Sequence, residues 1–432
     1  MLKVGFYIPR LNYLKFLGPL IEYFLSQKVQ VTLFCDHREP PSRYKAYLYP
    51  NLAKLPEFQY PVDRVAFGSL SEFTIATRDK GIQAMFFCNC DEIGKEFHEQ
   101  MNVLSHKLII AQMQNVFDLI VTSKDLSYSD VIYIYSDDWI DWWKSYVQHH
   151  HLVPEMALKD FLKDVDEKTV SVGFTEADQI PHIDPHCVRE KYDIPANKKV
   201  LLYSPFSWAR DFSLCGPSLN RLPKQLIQKM RRLCCGASKY LPNAWCGMLD
   251  RSIVEAVRKF CDRNNALFIV KAREKTIIPY YLEKTVDRIF FDESYYPYTL
   301  IELLSITDLC LHFHSCIVME AVITRTPSIS ISHNSEACRT AFSDRLFISG
   351  LSPQSEGLYN FNGVNYYLEL DEFVHTFPSK KVTDYPLDKE LAKTFMNKFV
   401  SSDDLNSSSR IYNDLSKRIN SLDTLPSQHS IH

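Results

Sequence analysis

The sequence predicts an α/β protein of two doubly wound halves, each a mostly parallel sheet with helices packed on it. Three observations carry that expectation. Short apolar runs alternate with helical periodicity almost from the first residue, the alternation lapses across residues 149–198, and it then begins again. Such a rhythm is that of βαβ units, whose crossover helices force the strands to run parallel. At 432 residues the chain has room for two or three domains of roughly 150 residues each.

The first half opens on Lys3–Pro9 (KVGFYIP), an apolar run closed by proline and read as a buried strand. Leu17–Leu25 has helical spacing, with Pro19 tolerable in a first turn. Val29–Cys35 (VQVTLFC) is the second strand, ended by the polar run Asp36-His37-Arg38-Glu39-Pro40-Pro41. Ile82–Cys88, Leu108–Ala111 and Val131–Tyr135 are further strands. Asp137-Asp138 is read as a helix start rather than a metal-binding pair, since carboxylates suit the positive end of a helix. The connection ends in a short helix, Pro185–Tyr192.

In the second half, Lys199–Ser204, Ala266–Val270, Arg288–Phe291, Leu309–Phe313 and Pro327–Ser332 read as strands. Thr299–Ile306 reads as a helix opened by a capping box, with Thr299 and Glu302 at the S/T-x-x-E spacing. Cys316–Ile323 reads as a helix with Ser315 as its N-cap. Ser407–Ile419 is a closing helix, and the last dozen residues are a frayed tail. The expected domains are 1–170, 171–400, and a helix with tail over 401–432.

Composition narrows the function. Apolar residues make up 46% and charged residues 23%, with a net charge of -3, so the chain as a whole does not suit nucleic acid. No run of about 18 apolar residues would cross a bilayer, and the N-terminus is not a signal peptide. The twelve cysteines lack zinc spacing and suit buried thiols in a reducing cytoplasm. Glycine numbers only 12, and neither G-x-G-x-x-G nor a P-loop occurs, which argues against dinucleotide dehydrogenases and P-loop NTPases. No metal or resident cofactor is expected.

Open parallel sheets bind ligands beyond the carboxyl ends of their strands, and that rule selects the candidate residues. Where a strand runs directly into a helix, Ser315 presents a hydroxyl beside outward-facing backbone N–H groups, a place suited to a diphosphate. Glu320, in the first turns of that helix, suits a vicinal diol; the alternatives are a plain cap and a solvated charge. His314, at the strand end, is placed to reach a ligand, whereas His312 reads as a core histidine. Lys271, Arg273 and Lys275 follow the strand Ala266–Val270 and would neutralise a leaving diphosphate, unless they form a solvated charge run. Ser207 and Arg210 follow Lys199–Ser204 and suit phosphate or acceptor. Tyr296 could stack on a base or pack in the core. Asp36 and His37, at a strand end of the first half, are the candidate general bases. The basic amphipathic stretch 219–233 suits either an ordinary surface helix or one lying on an anionic leaflet.

Four segments resemble a known family: SDVIYIYSDDWIDWWKSY; VGFTEADQIPHIDPHCVREKYDIPANKKVLLYSPF; FIVKAREK; and DESYYPYTLIELLSITDLCLHFHSCIVMEAVITRTPSISI, all between Ser129 and Ile331. They are similar to GT-B-type transferases, closest to the CDP-glycerol glycerophosphotransferase and capsule- or surface-polysaccharide group. The last is the most specific, since there a serine precedes a helix bearing glutamate. Departures fall at Lys271-Ala272-Arg273 and Gln112-Met113-Gln114, where the family commonly shows histidine, and at Ser315-Cys316, where it pairs serines. The resemblance implies two Rossmann-like domains facing a central cleft, a CDP- or UDP-type donor in the second and a polysaccharide or lipid-linked acceptor in the first. It implies work on the cytoplasmic side, with peripheral membrane association if 219–233 meets the leaflet. Two rivals stand beside it: a nucleotide-sugar 2-epimerase on the same fold, and a non-catalytic subunit of a polysaccharide complex.

Overall fold

The computed structural model describes residues 1–38, 49–88, 93–104, 106–114, 126, 128–205, 251–272, 282–291, 295–313, 315–332, 357–401 and 404–424. The chain divides into two compact units. Unit 1 holds Met1–Pro181, Ser294–Tyr298 and Met396–His432; unit 2 holds His182–Glu293 and Thr299–Phe395. The first unit therefore closes on a segment that follows the whole of the second.

In unit 1 the strands are β1 (Lys3–Ile8), β2 (Gln30–Asp36), β3 (Asp63–Phe67), β4 (Ala84–Phe87), β5 (Ile109–Met113), β6 (Val131–Ile134) and β7 (Thr169–Ser171). They form a sheet in the order β3-β2-β1-β4-β5-β6-β7, and every pairing is parallel. The central strands are continuous apolar runs because helices cover both faces. The edge strands β3 and β7 are half-exposed and carry no such run, so the sequence reading passed over them. Helix α1 spans Leu14–Ser26, starting three residues before the expected Leu17, so Pro19 lies inside the helix. Pro19 falls in its second turn, where it forgoes the hydrogen bond that an N–H would make to the Lys15 carbonyl. Helices α2 (Leu70–Asp79) and α3 (Gly94–Val103) follow, and α4 (Asp137–His149) starts at the acidic pair, as its sequence suggests. Phe67, Phe73, Phe87 and Phe97 pack with Tyr7 as an aromatic core.

The connection into the last part of unit 1 is tightly made. Helix α5 (Glu155–Lys168) leads through β7 to a 3-10 segment, Thr175–His182. Asp178 in that segment accepts from the backbone N–H of Ser407 (3.0 Å) and Ser408 (2.6 Å). It thus caps a helix more than two hundred residues away along the chain. Gly173 stands beside this junction at φ +98, where a Cβ would lie 2.5 Å from the Ser407 hydroxyl. Only glycine suits both that backbone and that gap.

Unit 2 opens with α6 (Pro185–Lys191). Its strands are β8 (Lys199–Ser204), β9 (Ala266–Ala272), β10 (Arg288–Phe291), β11 (Leu309–His312), β12 (Ser328–Ser332) and β13 (Asn365–Glu369), in the order β10-β9-β8-β11-β12-β13. These pairings too are all parallel. Helix α7 (Arg251–Asn264) buries Ile253, Val257 and Phe260 on the sheet. α8 (Leu282–Thr285) precedes β10. α9 spans Thr299–Leu304, so Thr299 sits in its first turn rather than ahead of it. The expected capping box gives way because the Glu302 carboxylate accepts from Lys191 Nζ (2.8 Å) and the Tyr192 hydroxyl. α10 (Ile317–Ile323) follows β11, and α11 (Leu370–Thr376) and α12 (Lys389–Phe399) follow β13. α13 spans Ser407–Thr424 and belongs to unit 1.

Candidate functional site

In unit 1 the carboxyl edge of the sheet is built around Asp36, the last residue of β2, which is 6% exposed. The pairing Tyr7↔Phe34 puts Tyr7 and Asp36 on the same face of the sheet, one step apart along β2's pleat. The Tyr7 hydroxyl donates to Asp36 Oδ2 at 2.7 Å. Arg38 donates its backbone N–H (2.9 Å) and Nε (3.0 Å) to Oδ1, and Nη2 (2.7 Å) to Oδ2. Burial alone would raise this carboxyl, but the hydrogen bonds from Arg38 and Tyr7 hold it below the usual aspartate range. His37 continues the ladder, its backbone N–H meeting the Phe67 carbonyl. The ring donates Nε2 to the Pro50 carbonyl at 3.0 Å and stacks on Tyr49. That bond puts a hydrogen on Nε2.

The turn after β1 meets the same edge. The Asn12 side-chain oxygen there is buried without a hydrogen-bond partner among the described residues, and such an atom calls for a ligand or water. Lys15, at the start of α1, lies 3.9 Å from Glu176, a carboxylate that is 0% exposed. Its ammonium also rides over the rings of Phe16 and Tyr298. The sequence reading missed this pair; its one signal is an acid set in the apolar run VGFTEA. Tyr296, expected to face a base, belongs to unit 1. Its ring stacks on Phe58 and fills the space beside Gly18, where a Cβ would fall 2.3 Å away. Packing therefore accounts for that residue.

In unit 2, Lys271 lies near the carboxyl end of β9, only 6% exposed, with Nζ donating to the Ala272 carbonyl at 3.2 Å. It is not part of a solvated charge run. Ser315 follows β11 on the same edge; two inter-strand steps of about 4.8 Å separate β9 from β11. Cys316, not Ser315, occupies the N-cap position of α10, and the Ser315 hydroxyl accepts from the Ile317 N–H at 3.4 Å. Glu320 is 2% exposed, which excludes a solvated charge, and its negative charge adds to the burial that raises the Cys310 thiol. His312 is a core histidine, bonded to Asn365 Oδ1 (3.2 Å) beside Ser330. Ser207, Arg210, Arg273, Lys275, His314 and the stretch 219–233 lie outside the described residues.

Among the described residues an open cleft of about 740 Å³ lies in unit 1 at the opposite edge, lined by Met101, His106, Lys107, Ile109 and Arg418. It contains none of the expected residues. Among the described residues no cluster of three metal-ligating side chains occurs, and no helix is long and apolar enough to cross a membrane.

No family model matches the chain, and no curated protein matches its sequence. Solved structures do. The wall teichoic acid polymerase TagF is similar over 98% of this chain and 90% of its own, with a TM-score of 0.57 at 12% identity. The UDP-GlcNAc 2-epimerase of Neisseria meningitidis, bound to UDP-GlcNAc, is similar over 96% of this chain and all of its own, with a TM-score of 0.54 at 12% identity. A putative 2-epimerase from Listeria monocytogenes spans the full length of both chains at a TM-score of 0.54 and 8% identity. The two parallel sheets and these neighbours identify the fold as GT-B, two Rossmann-like domains, as the sequence resemblance implied.

Proposed function

We propose that the chain is a transferase that moves a glycosyl or polyol phosphate group from a CDP- or UDP-activated donor to a hydroxyl of a surface polysaccharide or its lipid-linked precursor. The supporting observation is the polar carboxyl edge of each sheet, set within a fold shared over nearly the full length with a teichoic acid polymerase. Unit 2 would take the donor. Lys271 is held at the edge of its sheet, Ser315 stands before α10 and Glu320 lies within it. Arg273, Lys275, Ser207 and Arg210 are assigned to the same task by sequence, and His314 to catalysis. Cationic groups and a helix start can carry the charge of a departing diphosphate without a metal.

Unit 1 would take the acceptor. Asp36 spends both oxygens on Arg38 and Tyr7 and is held ionised, so it is a weak proton acceptor; it orients its neighbours. The general base is assigned to His37, whose Nδ1 carries the lone pair when the ring is neutral, since the bond to Pro50 holds a hydrogen on Nε2. Reaction on the cytoplasmic side, with 219–233 touching the leaflet, belongs to the same proposal; sedimentation with anionic liposomes tests it.

The direct test is a thermal-shift titration with CDP and UDP. A nucleotide at about a hundred times its Kd stabilises the native protein by about 2.7 kcal/mol. No shift with any pyrimidine nucleotide would retire the donor assignment. A second reading, a nucleotide-sugar 2-epimerase, is supported by the alignment with the Listeria protein over the full length of both chains. Incubation with UDP-GlcNAc alone separates the two, since only an epimerase yields the isomer without acceptor.

A further inference from the structure

Arg38 is a cation that the structure fixes at the carboxyl edge of unit 1's sheet and leaves with unspent donors among the described residues. Its guanidinium meets Asp36 side-on: Nε lies 3.0 Å from Oδ1 and Nη2 lies 2.7 Å from Oδ2. Nη2 also donates to the Tyr7 hydroxyl at 3.2 Å. Tyr7 is 0% exposed, so the brace behind the pair is rigid core. The third nitrogen, Nη1, has no protein partner among the described residues, while the Arg38 side chain keeps 28% of its exposure. The Nε and Nη2 side of the guanidinium is thus spent, and what remains is the two N–H groups of Nη1, in the plane that Asp36 fixes. A guanidinium N–H donates a stronger hydrogen bond to a carboxylate or phosphate oxygen than a neutral donor does.

The location is the second argument. β2 lies beside β1 in the sheet, so Arg38 stands at the carboxyl edge, where open parallel sheets bind their ligands. The Asp36 charge does not cancel this capacity, because a carboxylate that holds Nε and Nη2 fixes the plane in which Nη1 is offered.

We propose that Arg38, positioned by Asp36 and Tyr7, is a preformed binding site for an oxyanion, a carboxylate or phosphate ester, at the carboxyl edge of unit 1. The site does not depend on the transferase reading. Where that reading holds, the molecule bound by unit 1 carries an acidic group next to the reacting hydroxyl.

The experiment titrates the full-length protein with methyl phosphate and, separately, acetate, following thermal stability and heat of binding, each with CDP present at saturation. The comparison is with Arg38→Gln, Arg38→Lys and the pair Asp36→Asn/Arg38→Gln, which keeps neutral hydrogen bonds where the single change would strand a buried carboxylate. The expected result is saturable binding of at least one anion by the parent, weakened about tenfold or more in each variant, the loss of a charge-assisted hydrogen bond. Arg38→Lys belongs with the losses, since it keeps the charge and forfeits the side-on grip of Asp36 that fixes the direction of Nη1. A stronger response to methyl phosphate assigns a phosphate ester, and to acetate a carboxylate. A merely structural Arg38 would lower the variants' baseline stability and leave the anion-dependent increment intact, and that outcome overturns the proposal. So does a parent that binds neither anion. Loss of the CDP response alone would count against the donor assignment and leave the Arg38 site standing.

Discussion

Asp36 takes hydrogen bonds from a tyrosine hydroxyl, a backbone amide and two nitrogens of one guanidinium, and its acidity follows from them. A carboxyl whose folded pKa is depressed adds stability that is fully present above its unfolded value, about 3.9 for aspartate. That contribution is lost as pH falls through the lower folded value. Tyr7→Phe removes one of the lowering bonds. The variant should be less stable at neutral pH by about 1 kcal/mol. It should also lose the Asp36 contribution at a higher pH than the parent does on acidification. Urea midpoints measured from neutral pH into the acid range check both; parallel curves for the two proteins would show that Tyr7 does not tune the carboxyl. The sequence displayed Asp36 and Arg38 side by side at a strand end but gave no hint of Tyr7. That partner comes from strand register, which apolar runs do not encode. Ser315 was legible as a residue at the strand-to-helix turn, yet α10 begins two residues later because Cys316 takes the cap position. Whether Glu320 was solvated could not be read from spacing either; its 2% exposure depends on the packing of α10 beside β11.

The helix α13 is held at its start by a residue outside it. Asp178 accepts from the first two backbone amides, and Arg410 donates Nε to the Val172 carbonyl at 2.7 Å. Further along, the Tyr133 hydroxyl (2.9 Å) and Arg418 Nε (2.7 Å) both donate to Asp414 Oδ2. Burial, the largest influence on Asp178, pushes its carboxyl up despite the bonds from Ser408 and Ser407. For a raised carboxyl the sign reverses: the contribution is most favourable below the unfolded pKa and declines as pH rises towards the folded one. Asp178→Asn, which keeps an acceptor and sheds the buried charge, should therefore cost little at neutral pH. Asp178→Ala, which leaves two amides uncapped, should cost about 1–2 kcal/mol. Amide exchange at Ser407 and Ser408 distinguishes the variants, and equal protection in both would remove Asp178 from the cap. Helices of this kind were visible as periodicity, and α13 runs five residues beyond the expected Ile419. The strands that stayed hidden, β3, β7 and β13, lie at sheet edges, where alternation and apolar content are weakest.

On the scale of the whole molecule, two α/β halves were legible in two alternations separated by a lapse, and the GT-B architecture in the resemblance carried by residues 129–331. The allocation of chain to units was less so. Met396–His432 belongs to unit 1, and it does so through specific ties. The Trp139 indole donates to the Phe399 carbonyl at 2.8 Å, the Ser136 hydroxyl donates to the Lys398 carbonyl, and Tyr412 packs edge-on against Tyr23 and Phe24 of α1. A chain ended after Phe395 should keep the core of unit 2 and lose ordered packing in unit 1. Fluorescence of Trp139 and Trp143, both 0% exposed in the intact fold, would shift towards that of solvated indole; an unchanged spectrum would mean that unit 1 is complete without its returning segment. That return also has a consequence for a chain emerging from a ribosome. Synthesis runs from the amino terminus, and domains generally fold as units in that order. Here the earlier unit cannot be completed until the later one has been made in full. The α1 surface that receives Tyr412 must stay uncovered throughout that interval, a natural landing place for a chaperone that shields nascent apolar surface.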